Sequence, residues 1–262
     1  IKFEMEIKNF ESIKNIFDSG TWYHSVEFNK IKSKGTFDYT DTVKDLNLPR
    51  LDNLSVLDVG CSDGYFAKYF LENLGANYVL GVDFNKYDGS IAFDVLNTYQ
   101  KEYKTKYKEH DDFEILKKDY EKLELFNSNK FLLLKKIFNL NMDYEFGSIY
   151  DLKSLPNFDV TFCGSLLEHL RDPITAIEQL YFKTDKFSII DISNSFNSGI
   201  FKKKSYLKYV GSGGNFFHYS EQGVKEIMEN VGFKKVTKLS SYKIKIEKYG
   251  YKIPHAVMIG YK

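Results

Sequence analysis

The sequence has almost no net charge and few residues that cross-link or stiffen a chain. Its 262 residues carry 37 lysines and arginines against 36 aspartates and glutamates, a formal charge of +1. Such a balance gives no global attraction to nucleic acid or to acidic lipid. With only 2 cysteines, neither a disulfide framework nor a cysteine-rich metal cluster is expected. We therefore predict that Cys61 and Cys163 are buried free thiols in a reducing compartment.

The sequence also lacks a long apolar segment. No run reaches the roughly 18 to 20 apolar residues that a helix needs to span a bilayer, so we predict no membrane-spanning segment. Residues 1–10 carry acidic side chains and no apolar core of the signal-peptide type. The hydrophobic fraction of 43% is enough for a sizeable core. We therefore expect a cytoplasmic protein with residues 1–262 in one large domain.

Strand-like and helix-like segments alternate along the chain. Five apolar runs have strand character: residues 55–60, 77–84, 146–152, 158–165 and 187–193. Helix-like segments are residues 64–74, 174–182 and 220–233, and the end of the chain is predicted to form an antiparallel pair. In the first helix, Phe66, Phe70 and Leu74 recur every four residues and so share one face. The alternation predicts an α/β fold, with a parallel sheet covered by helices on both faces.

Two segments lie outside this alternation. Residues 1–50 precede the first strand, and we expect them to form an N-terminal helical cap over the strand ends. Residues 97–142 are charged and helix-prone, and they separate the second and third predicted strands. We interpret them as an inserted helical subdomain or lid.

Ligands bind beyond the carboxyl ends of the strands in sheets of this kind.

The stretch SVLDVGCSDGYF, residues 55–66, interrupts a buried strand with a glycine turn. Gly60 and Gly64 let a ligand approach the backbone closely, but their spacing differs from the G-x-G-x-x-G pattern of dinucleotide sites. Asp63 would stand near the expected phosphate, where a negative charge is unfavourable, and it suits a cationic ligand better. Asp83 ends the next strand, where an acid accepts hydrogen bonds from both hydroxyls of a ribose.

These features predict a ligand with a ribose, no phosphate and a positively charged amino-acid end. S-adenosylmethionine has all three. Its ammonium and sulfonium groups explain why a loop that contains both Asp58 and Asp63 is favourable. We therefore predict S-adenosylmethionine as the cofactor.

Four stretches resemble the successive motifs of a known family. They are VLDVGCSDGYF, GVDF, FDVTFCGSLLEHLRDP and HYSEQGVKEIMENVGF, and they are similar to class I S-adenosylmethionine-dependent methyltransferases. TWYHSVEF and GTFDYTD, together with GSLLEHLRDP, most resemble the group described as tRNA wobble-uridine methyltransferase-like. The resemblance covers roughly residues 20–95 and 145–235. It implies a Rossmann-like fold, in which a seven-stranded, mostly parallel sheet has one antiparallel strand.

The resemblance also implies where the cofactor binds. Ser62 replaces the middle glycine often found in the loop, and the tryptophan-rich basic segment of the tRNA enzymes has no recognisable counterpart. The implied cofactor-binding residues are Asp58, Gly60, Cys61, Ser62 and Gly64 in the loop, Asp83 at the ribose, Phe84 beside the adenine, Ser148 and Ile149 at the adenine edge, and Cys163, Gly164 and Ser165 at the methionine end.

Methyl transfer from a sulfonium is an in-line displacement, so alignment of the acceptor supplies much of the catalysis. A hydroxyl acceptor must also lose its proton, which a positioned base accelerates by roughly 10²–10⁴-fold. We hypothesise that His169 is this base, because it follows the fourth strand on the carboxyl-end side. The alternative is that His169 packs against, or caps, the helix that begins near Asp172. Glu168 and His24 are the other catalytic candidates, and an aromatic cluster with Trp22 explains His24 equally well.

Several polar side chains near the strand ends are candidates for acceptor binding. They are Tyr23, Arg171, Asn194, Asn197 and His218. A salt bridge with a local acid is the alternative for Arg171, and a turn is the alternative for the asparagines. Glu168 and His169 are adjacent metal-ligand types, but adjacent side chains rarely hold an ion alone. We predict no metal.

The sequence therefore predicts an enzyme that methylates a hydroxyl oxygen of a small polar acceptor. We favour a sugar or a nucleotide-linked sugar of surface polysaccharide synthesis, because the charge is neutral and polar residues follow the fifth strand. A tRNA-modifying methyltransferase is the alternative, and it would need a basic face such as the lysines of residues 101–108, 202–208 and 234–248 could provide. A nucleotide-binding oxidoreductase and a catalytically silent binding module are further alternatives. Nucleic acid is not the expected partner.

Overall fold

The computed structural model describes residues 14, 17, 18, 22–83, 130–193, 204–212, 215–246, 250 and 252–262. The strands are β1 (Trp22–His24), β2 (Glu27–Phe28), β3 (Ile31–Lys32), β4 (Gly35–Phe37), β5 (Ser55–Val59), β6 (Tyr78–Asp83), β7 (Met142–Phe146), β8 (Phe158–Gly164), β9 (Thr184–Ser193), β10 (Leu207–Ser212), β11 (Asn215–Tyr219), β12 (Lys235–Lys245) and β13 (Lys252–Tyr261). The helices are α1 (Tyr65–Asn73), α2 (130–138), α3 (Pro173–Lys183) and α4 (Glu221–Val231), with short 3-10 helices at Val43–Leu46 and Leu167–His169. None of the described helices is long and apolar enough to cross a bilayer.

Seven strands form the central sheet, in the order β7-β6-β5-β8-β9-β13-β12. Strands β5 to β9 run parallel to one another. Strand β13 runs antiparallel to both β9 and β12. The predicted seven-stranded, mostly parallel sheet with one antiparallel strand is therefore confirmed.

The order of strands reverses at β5. Strands β6 and β7 lie on one side of it, whereas β8 and β9 lie on the other. Beyond the carboxyl ends of these strands, the chain therefore leaves β5 towards one side of the sheet and β8 towards the other. Open α/β sheets bind ligands in the crevice at such a switch point. The topology thus predicts a site among the residues that follow β5, β6 and β8.

Hydrophobic side chains alternate between the two faces of the sheet. In β5, Val56 packs in one cluster with Phe70 of α1, while Leu57 packs in another with Leu180 of α3. Helix α2 contributes to the first cluster and α4 to the second. Because successive strand residues point to opposite faces, Asp58 follows the direction of Val56. A carboxyl group in this position is buried under helices, and it needs a local reason to be there.

The third parallel strand lies earlier than the sequence pattern predicts. The prediction placed it at residues 146–152, but β7 ends where that range begins. Strand β7 is at the sheet edge, where it buries Met142 and exposes Asp143. A one-sided strand lacks the continuous apolar run that marks a strand buried on both faces. The proposed insertion at residues 97–142 falls mostly outside the described residues, and its described part comprises α2 and the turn into β7.

The N-terminal segment also differs from its prediction. We expect a helical cap over residues 1–50, but residues 22–50 form four short strands and one 3-10 turn. Asn29 and Lys30 join β2 to β3 with φ angles of 46° and 70°. Non-glycine residues adopt such angles in turns, so this pair closes a hairpin between two strands, which a continuous helix could not contain.

The same segment crosses the carboxyl edge of the sheet. At one end, the backbone N–H groups of Tyr23 and His24 donate to the Asp63 carboxylate, at 3.1 and 2.8 Å. At the other end, the Tyr39 hydroxyl lies 3.4 Å from that of Tyr242 on β12. Strands β8, β9 and β13 lie between β5 and β12 in the sheet. The segment is therefore attached on both sides of the crevice.

Candidate active site

The loop after β5 is a tight turn held by backbone hydrogen bonds. The Gly60 N–H donates to the Val82 carbonyl of β6 at 2.8 Å, and the Gly64 N–H donates to the Cys61 carbonyl at 2.9 Å. Gly60, Ser62 and Gly64 have φ angles of 81°, 49° and 84°, all in the left-handed region. Glycine adopts this region without strain, which accounts for two of the three positions. The loop therefore presents backbone, rather than side chains, to the crevice.

Asp83 closes the same loop from the neighbouring strand. Its Oδ2 accepts a hydrogen bond from the Ser62 backbone N–H at 2.8 Å. Its own carbonyl accepts from the Tyr144 hydroxyl and from the Gly147 N–H, at 3.1 and 3.0 Å. The acid predicted for a ribose is thus fixed at the end of β6, next to the glycine turn.

Asp58, in β5 just before the loop, is the unusual acid of this region. It is 2% exposed, and its Oδ2 finds no hydrogen-bond partner among the described residues. Burial, reinforced by the negative charges of Asp83 and Asp63, raises the pKa of Asp58 well above its usual range. A buried carboxylate oxygen without a donor costs about 1–3 kcal/mol. A cationic ligand in the crevice would remove that cost.

Asp63 has a different role from the one expected of it. It is fully buried, and its Oδ1 lies 2.6 Å from Nδ1 of His24, in addition to the two backbone N–H donors of the N-terminal segment. Burial acts to raise the pKa of Asp63, but the charge and hydrogen bonds of His24 outweigh it and lower the pKa. Its oxygens are already engaged within the protein. Asp63 therefore attaches the N-terminal segment, and Asp58 is the better placed acid for a cation.

Two neighbouring cavities open beside the loop, beyond the ends of β6 and β7. The larger has a volume of about 300 Å³ and is lined by Val82, Gly147 and Ser148 among others. The smaller is lined by Gly60, Asp83 and Ile149. Ser148 and Ile149, the positions expected at an adenine edge, therefore both face this space. Phe84 lies outside the described residues.

The end of β8 supplies the third wall. Cys163 is fully buried, and burial raises the pKa of its thiol well above the usual value. Gly164 ends the strand, and Ser165 follows with a φ of 49°. The Ser165 N–H donates to the carbonyl of Asp191 on β9 at 2.9 Å. These three positions therefore lie at the carboxyl end of β8, and Leu166, which follows them, lines the smaller cavity.

Behind Ser165 lies a buried polar network that sequence reasoning missed. Asp191 is fully buried, and its Oδ2 accepts from the Tyr242 hydroxyl at 2.7 Å and lies 3.2 Å from Nδ1 of His255. Burial acts to lower the pKa of His255, but Asp191 more than offsets it, so the pKa is raised. The Ser165 hydroxyl approaches the same nitrogen, Nδ1, at 3.3 Å. A nucleophilic triad uses the two different ring nitrogens, so this cluster is structural.

Glu168 and His169 lie in the 3-10 helix that follows β8. Glu168 is 3% exposed; its Oε1 accepts from the Ser193 backbone N–H at 3.4 Å, and its Oε2 meets no donor within the described ranges. His169 is half-buried at the last position of this helix. The helix that begins after Asp172 is capped by Asp172 itself, whose Oδ1 accepts from the Thr175 N–H at 3.0 Å. His169 is therefore not needed as that cap.

The remaining candidates are distributed around this wall. The Tyr23 ring is 38% exposed and lies 5.0 Å from the Phe37 ring centroid. Arg171 is exposed, with its guanidinium 5.2 Å from the Phe216 ring centroid. His218, on β11, is half-buried; burial and Lys208 lower its pKa, against an opposing effect of Glu168. Asn194 and Asn197 lie outside the described residues.

Comparison with known proteins agrees with this geometry. A family model described as a methyltransferase domain matches residues 33–238. The chain belongs to this methyltransferase family. The matched region includes the loop after β5, Asp83 and the end of β8, which lie around the crevice, and it also includes α4. No curated protein matches the sequence.

Solved structures share the fold. The N-terminal domain of EvdMO1, crystallised in the presence of S-adenosylhomocysteine and D-fucose, is 13% identical with a TM-score of 0.58, and the match covers 96% of each chain. The match to full EvdMO1 covers 49% of that chain. YcgJ from Bacillus subtilis is 10% identical with a TM-score of 0.53, over 82% of this chain and 93% of that one. The 1,6-didemethyltoxoflavin-N1-methyltransferase of Burkholderia thailandensis is 17% identical, with a TM-score of 0.50, over 80% of this chain and 72% of that one.

The protein is thus a class I S-adenosylmethionine-dependent methyltransferase. Its cofactor is S-adenosyl-L-methionine. The residues present fit that molecule, because the crevice joins an unsatisfied buried carboxylate at Asp58 to a carboxylate at the end of β6. The comparisons lend no support to the narrower resemblance to tRNA wobble-uridine enzymes.

Proposed function

We propose that the protein transfers a methyl group to a hydroxyl oxygen of a small polar acceptor, a sugar or a nucleotide-linked sugar. The observation that carries this proposal is Glu168. Its carboxylate is buried beside the end of β8, and one oxygen lacks a hydrogen-bond donor among the residues described. A buried carboxylate at this edge of the sheet is suited to receive a hydroxyl hydrogen bond. A related fold, the EvdMO1 domain, was crystallised in the presence of D-fucose.

The cofactor would be held by residues from three strand ends. Asp58 would face its positive charge, and Asp83 would accept hydrogen bonds from the ribose hydroxyls. Ser148 and Ile149 would border the adenine, with Cys163 to Ser165 at the methionine end. When bound, S-adenosylmethionine supplies a methyl group activated by a sulfonium.

The protein itself must align the acceptor and remove a proton. We propose that the acceptor hydroxyl gives its proton to His169 or Glu168, the two adjacent candidates on the 3-10 helix after β8. A positioned base of this kind contributes roughly 10²–10⁴-fold. His24 is better suited to a positioning role, because its Nδ1 is engaged by Asp63 at 2.6 Å.

The acceptor would be bound by side chains around the same wall. We propose Tyr23, Arg171 and His218 for this role, together with Asn194 and Asn197. A polyhydroxylated acceptor needs several such polar contacts. If the acceptor is linked to a nucleotide, its phosphate would add a group that Arg171 could bind. We propose that this methyl transfer takes place in the cytoplasm, as a step of surface polysaccharide synthesis.

The test is the fate of a labelled methyl group. Protein and S-adenosylmethionine labelled in the methyl group are incubated separately with the nucleotide-sugar fraction and the tRNA fraction of the source cells. Label in the nucleotide-sugar fraction, stable to conditions that cleave esters, supports the proposal. Label in tRNA, bound with a steep salt dependence, would replace it with the nucleic-acid alternative. Cofactor binding without label in either fraction would favour a silent binding module.

A further inference from the structure

We propose that Ser193 and Glu168 form a two-point subsite that selects a hydroxyl over an amine at the reacting position of the acceptor. This inference rests on the proposed function, because it takes the acceptor atom to be oxygen. Ser193 is not among the residues that the motifs predict. Among the described residues, its side chain at the end of β9 and that of Glu168, in the 3-10 helix after β8, each have a buried oxygen without a hydrogen-bond partner.

The geometry brings the two side chains to one corner. Ser193 is the last residue of β9, and its backbone N–H lies 3.4 Å from Oε1 of Glu168. Ser193 is 7% exposed and Glu168 is 3% exposed. Neither Oγ of Ser193 nor Oε2 of Glu168 has a hydrogen-bond partner in the part of the chain that the structure describes. A hydroxyl at the end of β9 and a carboxylate oxygen from the 3-10 helix that follows β8 are therefore both without a partner at the same corner.

Buried hydrogen bonds hold both sides of this corner in place. Ser193 pairs with His255 in the β9–β13 ladder, and Asp191, two residues earlier, is fixed by the Tyr242 hydroxyl and by His255. Leu167, beside Glu168, accepts a hydrogen bond from the Tyr219 hydroxyl through its carbonyl at 2.8 Å. Both supports are buried, so neither side chain of the corner depends on a surface contact for its position. A site that discriminates by hydrogen bonding requires this kind of support.

The chemistry of the pair distinguishes oxygen from nitrogen. A hydroxyl donates its O–H to Oε2 of Glu168, accepts the Ser193 O–H with one lone pair, and keeps a second lone pair to attack the methyl carbon. As the new C–O bond forms, the methyl–sulfur bond breaks with its electron pair on sulfur, and the hydroxyl proton passes to the base. A neutral amine has one lone pair, which it needs for attack. The Ser193 O–H would then face an N–H, and a buried donor would be left without an acceptor.

The experiment measures methyl transfer from S-adenosylmethionine to D-fucose and to its mono-amino derivatives, each with one hydroxyl replaced by an amine, at a pH at which the amine is neutral. Transfer is measured because an amine withdraws its lone pair from the Ser193 O–H only when it attacks the methyl carbon. The preference is the ratio of the rate with D-fucose to the rate with the derivative whose amine replaces the reacting hydroxyl. Ser193→Ala is expected to slow transfer to D-fucose and to lower this preference about tenfold, because the variant has no buried O–H to leave unpaired, with unchanged affinity for S-adenosylhomocysteine.

Ser188→Ala is the matched control. Ser188 is a buried serine of the same strand, and its hydroxyl accepts from Thr161 at 2.7 Å, away from the crevice. This variant is expected to keep the wild-type preference even if it melts at a lower temperature. Glu168→Gln provides a second variant, and it is expected to lose methyl transfer to D-fucose while remaining folded.

The outcomes separate this inference from the proposed function. If wild-type protein methylates a hydroxyl but Ser193→Ala keeps the wild-type rate and preference, the subsite is overturned and the proposed function stands. If the labelled methyl group is found on nitrogen, both the subsite and oxygen methylation are overturned.

Discussion

Two kinds of buried acid occupy the carboxyl edge of the sheet, and they differ in what surrounds them. Asp63 and Asp191 are each paired with a histidine and receive further hydrogen bonds from the protein. We call them the anchoring acids. Asp58 and Glu168 each keep one oxygen without a partner among the described residues. We call them the unsatisfied acids.

The comparison teaches which acids belong to the fold and which to the ligands. An ionised group buried in protein requires a partner, and the anchoring acids find theirs in the N-terminal segment and in β12 and β13. For one oxygen of each unsatisfied acid, the described residues offer no such partner. Because they border the proposed methionine and acceptor positions, their missing partners are expected to be the cofactor and the acceptor.

The largest effect on stability is expected from an anchoring acid. Asp63→Ala leaves His24 and two backbone N–H groups buried without their acceptor, so we expect a loss of about 3–5 kcal/mol in the free energy of unfolding. Urea denaturation followed by circular dichroism measures it. Asp52→Ala, which removes an exposed ion pair with Arg50, is the control and should change stability little. Equal losses in the two variants would remove the distinction.

An unsatisfied acid should affect turnover instead. Glu168→Gln keeps the shape of the side chain and removes its charge, so we expect an unchanged fold and a turnover reduced by roughly 10²–10⁴-fold if Glu168 is the base. His169→Gln is the companion variant, measured by the same methyl-label assay. The base is the residue whose loss produces the larger decrease. A decrease of only a few-fold in both would contradict proton removal by this helix.

The Asp191 network should show a moderate effect on stability. Tyr242→Phe deletes the hydroxyl that donates to Asp191 at 2.7 Å and faces the Tyr39 hydroxyl. Loss of one such hydrogen bond is expected to cost about 0.5–1.5 kcal/mol, with more if the acid is left unsatisfied. Thermal unfolding monitored by calorimetry measures this cost. An unaltered melting temperature would show that the network does not secure the N-terminal segment.

The smallest effect is a difference in pH dependence between the two anchoring pairs. The pKa of His255 is raised in the folded protein, so its contribution is complete below its unfolded pKa of about 6.5 and is lost as pH rises through the folded value. The pKa of Asp63 is lowered, so its contribution is lost as pH falls instead. Unfolding free energies of wild type and His255→Gln should therefore converge as pH rises. Divergence with rising pH would reverse the assignment.

The fold could be predicted from the sequence wherever a strand is buried on both faces. Residues 55–60 and 158–165 form continuous apolar runs, and they become β5 and β8 nearly as expected. The edge strand β7 escaped because Asp143 lies exposed within it. The N-terminal segment escaped because its short strands are held by Asp63 and by Tyr242, and these contacts are remote in sequence.

The site could be predicted only in part, because some of its deciding contacts are also remote in sequence. Gly60, Asp58 and Asp83 are recognisable because the turn and the strand ends are local features of the chain. Whether an acid is anchoring or unsatisfied is not local. His24 lies 39 positions from Asp63, and Tyr242 lies 51 positions from Asp191. Ser193 has no motif, and only its place at the end of β9 beside Glu168 reveals it.

The most direct test of the comparison is the affinity of Asp58→Asn for S-adenosylmethionine, measured by calorimetric titration beside its melting temperature. The amide removes a buried charge while keeping the shape of the side chain. We predict that the variant melts at the wild-type temperature or higher and binds the cofactor at least about tenfold more weakly, as expected for the loss of a charge-assisted hydrogen bond. Wild-type affinity, or a marked loss of stability, would contradict the account, because Asp58 would then be another anchoring acid.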